Sequence, residues 1–197
     1  MDSKLWDERY ATSEYMWTVT VNQFVERHLA DLPAGSAIDL GAGEGRNAVW
    51  LAQRGWKVTA VDFSPVGLEK GAKLAEHHNV EVDFVVADAT TYEPAEKVDL
   101  VVLSYLQLDA DSRKLILEQA AAWLRPGGMV FVIAHDQTNV KHGYGGPPSI
   151  DSCYDLDESV AALGGLNIEL AEIANRIVSK DDGTHTALDT LIIATRP

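Results

Sequence analysis

The chain has 197 residues, of which 46% are hydrophobic and 23% charged, a balance ordinary for a globular protein with one buried core. Its net charge of −14, with no run of Lys or Arg longer than a pair, argues against nucleic acid and membrane surfaces as partners, because both are negatively charged. Cys153 is the only cysteine, which excludes an internal disulfide and a cysteine-based zinc site. The sequence shows neither the h-region of a signal peptide nor an apolar run of about 18 residues, so we expect a cytoplasmic protein.

Taken in chain order, short apolar runs alternate with amphipathic segments. Several runs are nearly continuous in Val, Ile, Leu and Phe, which is typical of strands covered on both faces by helices. Ser64 followed by Pro65 is a helix-opening signal, and Asp155 with Glu158 predicts a second one. The predicted strands are 36–40, 57–61, 80–86, 98–104, 129–134, 167–178 and 187–194, and the predicted helices are 45–53, 64–77, 111–124 and a short one from 155.

This alternation predicts an α/β fold with a Rossmann-like, doubly wound, mostly parallel sheet and helices on both faces. The Arg-Pro-Gly-Gly sequence at 125–128 is expected to end the third helix. Only residues 179–184 separate the last two runs, and Asp182-Gly183 is typical of a hairpin turn, so the sheet should end in an antiparallel pair. We expect a single domain over 1–197, with 1–34 as an N-terminal helical or lid segment and 35–197 as the core.

A glycine-rich segment, Asp-Leu-Gly-Ala-Gly-Glu-Gly at 39–45, ends the first predicted strand. Glycines let the backbone turn sharply and approach a ligand closely, and open α/β sheets bind ligands at the carboxyl ends of their strands. Asp62 ends the second strand, where a carboxylate can accept hydrogen bonds from both ribose hydroxyls of an adenosine. NAD-binding proteins use the same arrangement, so these residues predict an adenosine-containing cofactor without naming it.

Asp39 favours one cofactor, because it stands directly before the glycine turn. A dinucleotide places its pyrophosphate there, where a carboxylate would oppose it, whereas S-adenosylmethionine brings an ammonium group and a sulfonium. Asp88 ends the third strand and could accept a hydrogen bond from the adenine amine, with Ala89 against the ring, and Ser104 ends the fourth strand. Each acid also has a structural interpretation, since Asp62 could cap a helix and Asp39 could bond its own turn. Three acids at successive strand ends favour the cofactor.

Over about residues 37–195, these features resemble the class I S-adenosylmethionine-dependent methyltransferases. Segment 39–45 looks like the family's glycine-rich first motif, Asp62 like its ribose-binding acid and Asp88 like its adenine contact. The Leu-Arg-Pro-Gly-Gly sequence at 124–128 is similar to a further signature. The resemblance implies a seven-stranded sheet in the order 3-2-1-4-5-7-6, with strand 7 antiparallel.

A narrower resemblance concerns two segments, 43–52 and 6–10. Both are similar to the tellurite-resistance and thiopurine-methyltransferase-like branch of the family. Members of that branch modify small, soft nucleophiles such as thiols and metalloid oxyanions. The resemblance therefore implies a small-molecule methyl acceptor.

The residues flanking the glycine turn have two interpretations each. The N-terminal aromatics, Tyr10 and Trp17 among them, form either a lid over the cofactor or ordinary packing, and an aromatic face near a sulfonium adds a cation–π attraction. Arg46 and Asn47 begin the helix after the turn, where they either contact the ligand or lie on the helix surface. We predict the lid for at least one of Tyr10 and Trp17.

His135 and Asp136 follow the fifth predicted strand, where methyl acceptors bind in the family that the chain resembles. A base or an acceptor-orienting role is one interpretation, and polar loop residues are the other. A His-Asp pair with the distant His142 is weak spacing for metal ligands, so no metal is expected.

The sequence thus predicts an S-adenosylmethionine-dependent methyltransferase acting on a small thiol, amine, hydroxyl or metalloid oxyanion. Two alternatives stay open, an NAD(P)-dependent oxidoreductase and a non-catalytic S-adenosylmethionine-binding protein. The catalytic candidates are His135 and Asp136. The candidate cofactor-binding residues are Asp39, Gly41, Ala42, Gly43, Asn47, Asp62, Phe63, Asp88, Ala89, Ser104, Tyr10 and Trp17.

Overall fold

The computed structural model describes residues 3–11, 15–16 and 18–197. Its strands form a seven-stranded sheet in the order β3-β2-β1-β4-β5-β7-β6, which confirms the predicted order. The elements in chain order are α1 (Ser3–Ala11), α2 (Gln23–Leu29), β1 (Ser36–Leu40), α3 (Arg46–Gln53), β2 (Lys57–Asp62), α4 (Pro65–His77), β3 (Asp83–Val86), β4 (Val98–Ser104), α5 (Ala110–Trp123), β5 (Leu124–His135), α6 (Asn139–His142), a short 3₁₀ helix (Ile150–Ser152), α7 (Leu156–Ala162), β6 (Asn167–Lys180) and β7 (Gly183–Thr195).

The chain divides into two compact units, Met1–Ser104 and Tyr105–Pro197. In the first unit, β1 pairs with β2 and β4, and β2 pairs with β3, all in parallel. Residues 37–40 of β1 are all buried, as expected for a strand covered on both faces, and Asp39 is the one charged residue among them. Parallel pairing places the carboxyl ends of β1, β2 and β3 side by side.

Strand β3 is shorter than predicted, because it begins at Asp83 instead of Val80. The backbone N–H of Val80 donates to the carbonyl of Ala75 at 3.1 Å, which closes the end of α4. The side chains of Val80 and Val82 pack against Leu74 and Ala75. These apolar residues therefore bury themselves against a helix and do not extend the strand.

Helix α4 begins as its sequence predicts. The hydroxyl of Ser64 accepts a hydrogen bond from the N–H of Gly67 at 3.1 Å, and Pro65 occupies the first helical position. In the second unit, the carboxylate of Asp155 caps α7 by accepting from the N–H of Glu158 at 3.0 Å. Both helix starts are confirmed.

The second unit ends in an antiparallel hairpin of β6 and β7, and β7 also pairs antiparallel with β5. The predicted turn is shifted by one residue: Lys180 pairs with Gly183, so Asp181 and Asp182 form the turn and Gly183 begins the strand. Strand β5 begins five residues earlier than the prediction of 129, at Leu124. Helix α5 ends at Trp123, so the predicted helix stop is confirmed. The strand begins early because the N–H of Gly127 donates to the carbonyl of Arg196 at 2.8 Å and the carbonyl of Gly128 accepts from the N–H of Arg196, which pairs these residues into the sheet.

Among the helices that the structure describes, none has the length and apolar character needed to cross a bilayer.

Candidate active site

The glycine turn follows β1 in the first unit. The N–H groups of Gly41 and Ala42 donate to the carbonyl of Val61 at 2.8 and 3.0 Å, which ties the turn to β2. Gly43 has a φ of 55°, in the left-handed region that side chains disfavour. A Cβ added to Gly43 would lie 2.7 Å from Oη of Tyr10. Glycine is therefore required here by both conformation and space.

Asp62, the last residue of β2, joins the glycine turn to the start of α4. Its Oδ2 accepts from the N–H of Gly43 at 2.8 Å and its Oδ1 from the N–H of Ser64 at 2.9 Å. Burial raises the pKa of Asp62, while these amide donors act to lower it. Each carboxylate oxygen retains acceptor capacity, so the structural interpretation and the ribose contact are compatible.

Of the three acids at the strand ends, Asp39 is the most deeply buried, with 1% of its surface exposed. Its Oδ2 has no hydrogen-bond partner among the residues that the structure describes. Burial raises the pKa of Asp39 to about 7; the Ala48 amide and Arg46 oppose this effect, and Asp62 adds to it. A buried carboxylate oxygen without a partner is costly, so this position favours a ligand that brings a cation or a donor.

Asp88 lies beyond the end of β3 and is exposed. Its Oδ1 accepts from the N–H of Thr90 at 2.8 Å and from the Thr90 hydroxyl at 2.7 Å, and these bonds hold the pKa of Asp88 below its ordinary value. Ala89 is buried and Phe63 half-buried. The hydroxyl of Ser104 is buried and has no hydrogen-bond partner within the described part of the chain.

The N-terminal segment contacts the glycine turn through several side chains. Tyr10 is buried, and its ring also lies against Gly67, where an added Cβ would come 3.2 Å from Cε2. The hydroxyl of Ser64 donates to Asp7 in α1. Trp17, the other predicted lid residue, lies outside the described residues.

Glu44, within the turn, holds the same segment. Both of its carboxylate oxygens lie 2.9 Å from the N–H of Met16, and Lys70 Nζ lies 3.0 Å from Oε1. Asn47 acts similarly, because its Oδ1 accepts from the N–H of Asn22 at 3.0 Å. The side-chain oxygen of Asn47 is thus engaged within the protein.

The second unit places His135 and Asp136 at the end of β5 in different surroundings. Asp136 is buried, and its Oδ1 accepts from the N–H and hydroxyl of Thr138 at 2.8 and 2.6 Å. Its Oδ2 accepts from the hydroxyl of Thr190 at 2.7 Å. The carboxylate of Asp136 therefore organises the chain around it.

His135 instead belongs to a cluster around Asp189 of β7. Nδ1 of His135 lies 3.1 Å from Oδ1 of Asp189. Oδ2 of Asp189 accepts from Tyr105 Oη at 2.7 Å and from Arg176 Nε at 2.6 Å. Burial pushes the pKa of Asp189 upward, but the hydrogen bonds from His135, Arg176 and Tyr105 outweigh it and hold the pKa below its ordinary value.

In the ranges 3–11, 15–16 and 18–197, no three His, Cys, Asp or Glu side chains are grouped so that they could hold a metal ion.

Residues 37–128 match a family model described as a methyltransferase domain. The match contains the glycine turn, Asp39, Asp62 and Asp88. The strand order β3-β2-β1-β4-β5-β7-β6 is that of the Rossmann-like methyltransferase fold. Over residues 37–128, the chain therefore carries a methyltransferase domain.

Two relatives of this methyltransferase domain differ in the share of their length that it covers. It is 29% identical over 119 residues to ribosomal RNA small subunit methyltransferase C of Alcanivorax borkumensis, covering 57% of this chain and 36% of that protein. It is 26% identical over 166 residues to probable thiol methyltransferase 2 of Arabidopsis thaliana, covering 81% of this chain and 72% of that protein. The chain thus spans little more than a third of the first relative.

A solved structure shares the fold. The N-methyltransferase NodS from Bradyrhizobium japonicum, in complex with S-adenosyl-L-homocysteine, aligns with a TM-score of 0.75 over 100% of each chain at 14% identity. S-adenosylmethionine is the cofactor of this family.

The residues of the first unit fit that cofactor chemically. Asp39 offers a buried carboxylate oxygen that has no partner in the described part of the chain, which suits the ammonium group of a methionine moiety. Gly43 is buried and has no side chain, which lets the backbone of the turn pack closely beneath Tyr10. The methyltransferase domain would hold the cofactor through Asp39, Asp62 and the glycine turn.

Sequence reasoning missed three charged residues that the structure places at important positions. Glu44 lies between two glycines, and a charged residue in such a turn is a usable signal. Asp189 precedes an apolar run in β7, where a charge implies a buried partner, whereas Arg176 lies in the mostly exposed strand β6 and carries no such signal. Their pairing depends on the hairpin register, which the sequence pattern does not specify beyond the turn.

Proposed function

We propose that the chain transfers a methyl group from S-adenosylmethionine to a small-molecule nucleophile, namely a thiol, amine, hydroxyl or metalloid oxyanion. The observation that carries the proposal is the buried carboxyl group of Asp39, whose Oδ2 has no partner among the residues described and whose pKa is raised to about 7. A positively charged ligand would supply the missing partner and restore the charge of the carboxylate. A pyrophosphate would do the opposite, which disfavours NAD and NADP.

The chain's own residues divide the binding between them. Asp39 would accept from the ammonium group, Asp62 from the ribose hydroxyls and Asp88 from the adenine amine, with Ala89, Phe63 and the backbone of the glycine turn alongside. Tyr10 covers the turn and would exclude water from it. When bound, S-adenosylmethionine supplies a methyl group already activated by a positive sulfur. The protein's task is therefore mainly alignment and exclusion of water.

The net charge supports a small acceptor. At −14, the chain would repel a phosphate backbone, although one relative acts on ribosomal RNA by its name. The relative named a probable thiol methyltransferase matches more of this chain, at 81%. Together with the resemblance of segments 6–10 and 43–52 to the tellurite-resistance and thiopurine branch, this favours a soft nucleophile such as a thiol.

A ligand comparison tests the proposal. Thermal unfolding is measured with S-adenosylhomocysteine, NAD and NADP, for the wild type, Asp39→Asn and the exposed-acid control Asp31→Asn. We expect only S-adenosylhomocysteine to raise the unfolding temperature, with the rise lost in Asp39→Asn and kept in Asp31→Asn. Stabilisation by NAD or NADP would contradict it and favour the oxidoreductase.

Turnover separates an enzyme from a binding protein. Transfer of a labelled methyl group is followed with a panel of alkyl and aryl thiols, amines, tellurite and selenite. We expect labelled product from at least one thiol. Tight binding of S-adenosylhomocysteine with no product from any acceptor would favour the non-catalytic alternative.

A further inference from the structure

We propose that His135 is the general base that removes the proton of the methyl acceptor, and that Asp189 is the residue that positions it. This inference rests on the proposed function. His135 is the last residue of β5, and its partner Asp189 lies within β7. The second unit contains all the residues that carry the argument.

Asp189 has no exposed surface, so its charge must be met by protein donors. Tyr105 and Arg176 both donate to Oδ2, at 2.7 and 2.6 Å. Oδ1 lies 3.1 Å from Nδ1 of His135 and accepts a longer bond from Nη2 of Arg176 at 3.5 Å. Arg176 balances the charge of the carboxylate. Asp189 therefore does not require a protonated imidazole beside it, and His135 is free to serve as a neutral base.

The contact fixes which ring nitrogen acts. Nδ1 of His135 faces Asp189, so the neutral ring carries its proton on Nδ1 and keeps the lone pair of Nε2 for an acceptor. The contact has hydrogen-bond length, but Nδ1 is not aligned for an ideal bond. Catalytic hydrogen bonds commonly tighten only when substrate is bound. The side chain of His135 is 13% exposed, which leaves part of the ring accessible.

Tyr105 supports the arrangement at a cost to its backbone. Its φ is 56°, which is unusual for a residue with a bulky side chain, and its N–H donates to the carbonyl of Ile133 at 2.8 Å. In this conformation its hydroxyl reaches Asp189, and its ring centre lies 4.9 Å from that of His135. Backbone strain of this kind concentrates at functional sites.

The loop after α6 holds the imidazole from another side. A Cβ added to Gly146 would lie 3.0 Å from both Cγ and Nδ1 of His135, so the loop backbone packs directly on the ring. Asn139 fixes the loop, because its Nδ2 donates to the carbonyl of Gly145 at 2.9 Å and its Oδ1 accepts from the N–H of Leu188 at 2.8 Å. The groups facing His135 are thus Asp189, Tyr105, Arg176 through Asp189, and uncharged loop backbone.

The proton transfer balances simply. The acceptor's S–H or O–H bond breaks, its proton moves to Nε2 of His135, and the bonding electron pair remains on the acceptor as the nucleophile for the methyl group. The imidazolium that forms is stabilised by Asp189. It returns to the neutral ring by releasing the proton to water.

The first test reads the tautomer directly and needs no turnover. Nitrogen NMR of ¹⁵N-histidine-labelled protein, with and without S-adenosylhomocysteine, is compared among the wild type, Asp189→Asn, Tyr105→Phe and His135→Gln, which assigns the signal. We expect a neutral His135 protonated on Nδ1 in the wild type and a shift toward protonated Nε2 in Asp189→Asn. If Asp189→Asn does not fold, Tyr105→Phe takes its place and should shift the His135 signal in the same direction, by a smaller amount than expected for Asp189→Asn. A wild-type ring protonated on Nε2 would overturn the inference.

The second test compares two acceptors. Thiophenol is largely ionised at neutral pH and needs no base, whereas 2-mercaptoethanol is largely protonated. His135→Gln should lower kcat with 2-mercaptoethanol about 10²- to 10⁴-fold and change the thiophenol rate less than about tenfold. The control His142→Gln, an exposed histidine of the same unit, should match the wild type. An equal loss of kcat with both thiols would contradict the role of His135 as a base. If the wild type methylates neither thiol, the result counts against the proposed function instead.

Discussion

The hydroxyl of Tyr105 donates a 2.7 Å hydrogen bond to Asp189, although 84 residues separate them in the chain. The bond connects the residue directly after β4 with the middle of β7. Because Asp189 is fully buried, its charge depends on such donors, and each should contribute measurably to stability.

Tyr105→Phe should lower the free energy of unfolding by about 1.5–3 kcal/mol, the range for a hydrogen bond to a charged group. Urea unfolding at pH 7 measures it. Tyr144→Phe is the control, since its ring stacks on His185 at 3.9 Å and the substitution keeps the ring. A Tyr105→Phe protein as stable as the control would show that Asp189 does not depend on the phenol.

Asp39 should make stability fall as the pH rises, when no cofactor is present. Its pKa is about 7 in the folded chain against an ordinary 3.8, so the folded state holds the proton more tightly, and the stabilisation present below pH 4 is lost as the pH passes 7. Between pH 5 and pH 8, the loss amounts to about 3 kcal/mol. Because the pKa of Asp62 is raised as well, Asp39→Asn should keep part of the pH dependence, and urea unfolding at both pH values should show the larger loss in the wild type. The same change in the free energy of unfolding in both proteins would refute the prediction.

The same carboxyl group should release a proton when the cofactor binds. A cation beside Asp39 favours the ionised form, so at pH 6.5 binding of S-adenosylhomocysteine should release up to about one proton. Calorimetry in two buffers with different ionisation enthalpies measures that number. Asp31→Asn should release as many protons as the wild type, and proton uptake in the wild type would contradict the placement of the ammonium group.

Gly43→Ala should be more harmful than Gly127→Ala, although both glycines have a positive φ, of 55° and 79°. An added Cβ at Gly127 meets nothing within 4 Å, whereas at Gly43 it lies 2.7 Å from Oη of Tyr10. Backbone strain alone costs about 1–3 kcal/mol in both variants. The excess in Gly43→Ala is therefore the Tyr10 contact, and adding Tyr10→Phe should reduce that excess in unfolding experiments. No relief in the double variant would locate the cost elsewhere.

Much of the sheet could be predicted because its signals are local. The runs at 36–40 and 98–104 are rich in Ala, Val, Ile and Leu, with a single Asp in each, and Ser64-Pro65 opens α4 as expected. The errors arise where a tertiary contact decides. Val80 is β-branched and apolar, as strand residues are, but completes the end of α4. The segment 125–128 follows the end of α5 as predicted, but Gly127 also pairs with Arg196, so β5 begins earlier than expected.

The candidate site divides in the same way. The positions of Asp39 and Asp62 follow from the rule that parallel strands present their carboxyl ends together, so a glycine turn and an acid are enough to find them. The burial of Asp39 and its unpartnered oxygen are properties of the packed chain. Asp189 lies outside any local motif, because its three partners are distant in the chain: Tyr105 follows β4, His135 ends β5 and Arg176 lies in β6.

Asp62 has a further consequence for how a ligand is received. Its two oxygens already fix the amides of Gly43 and Ser64, so the turn has its final shape before any ligand arrives. Binding at this position loses little conformational freedom, and more of the contact energy is available as affinity.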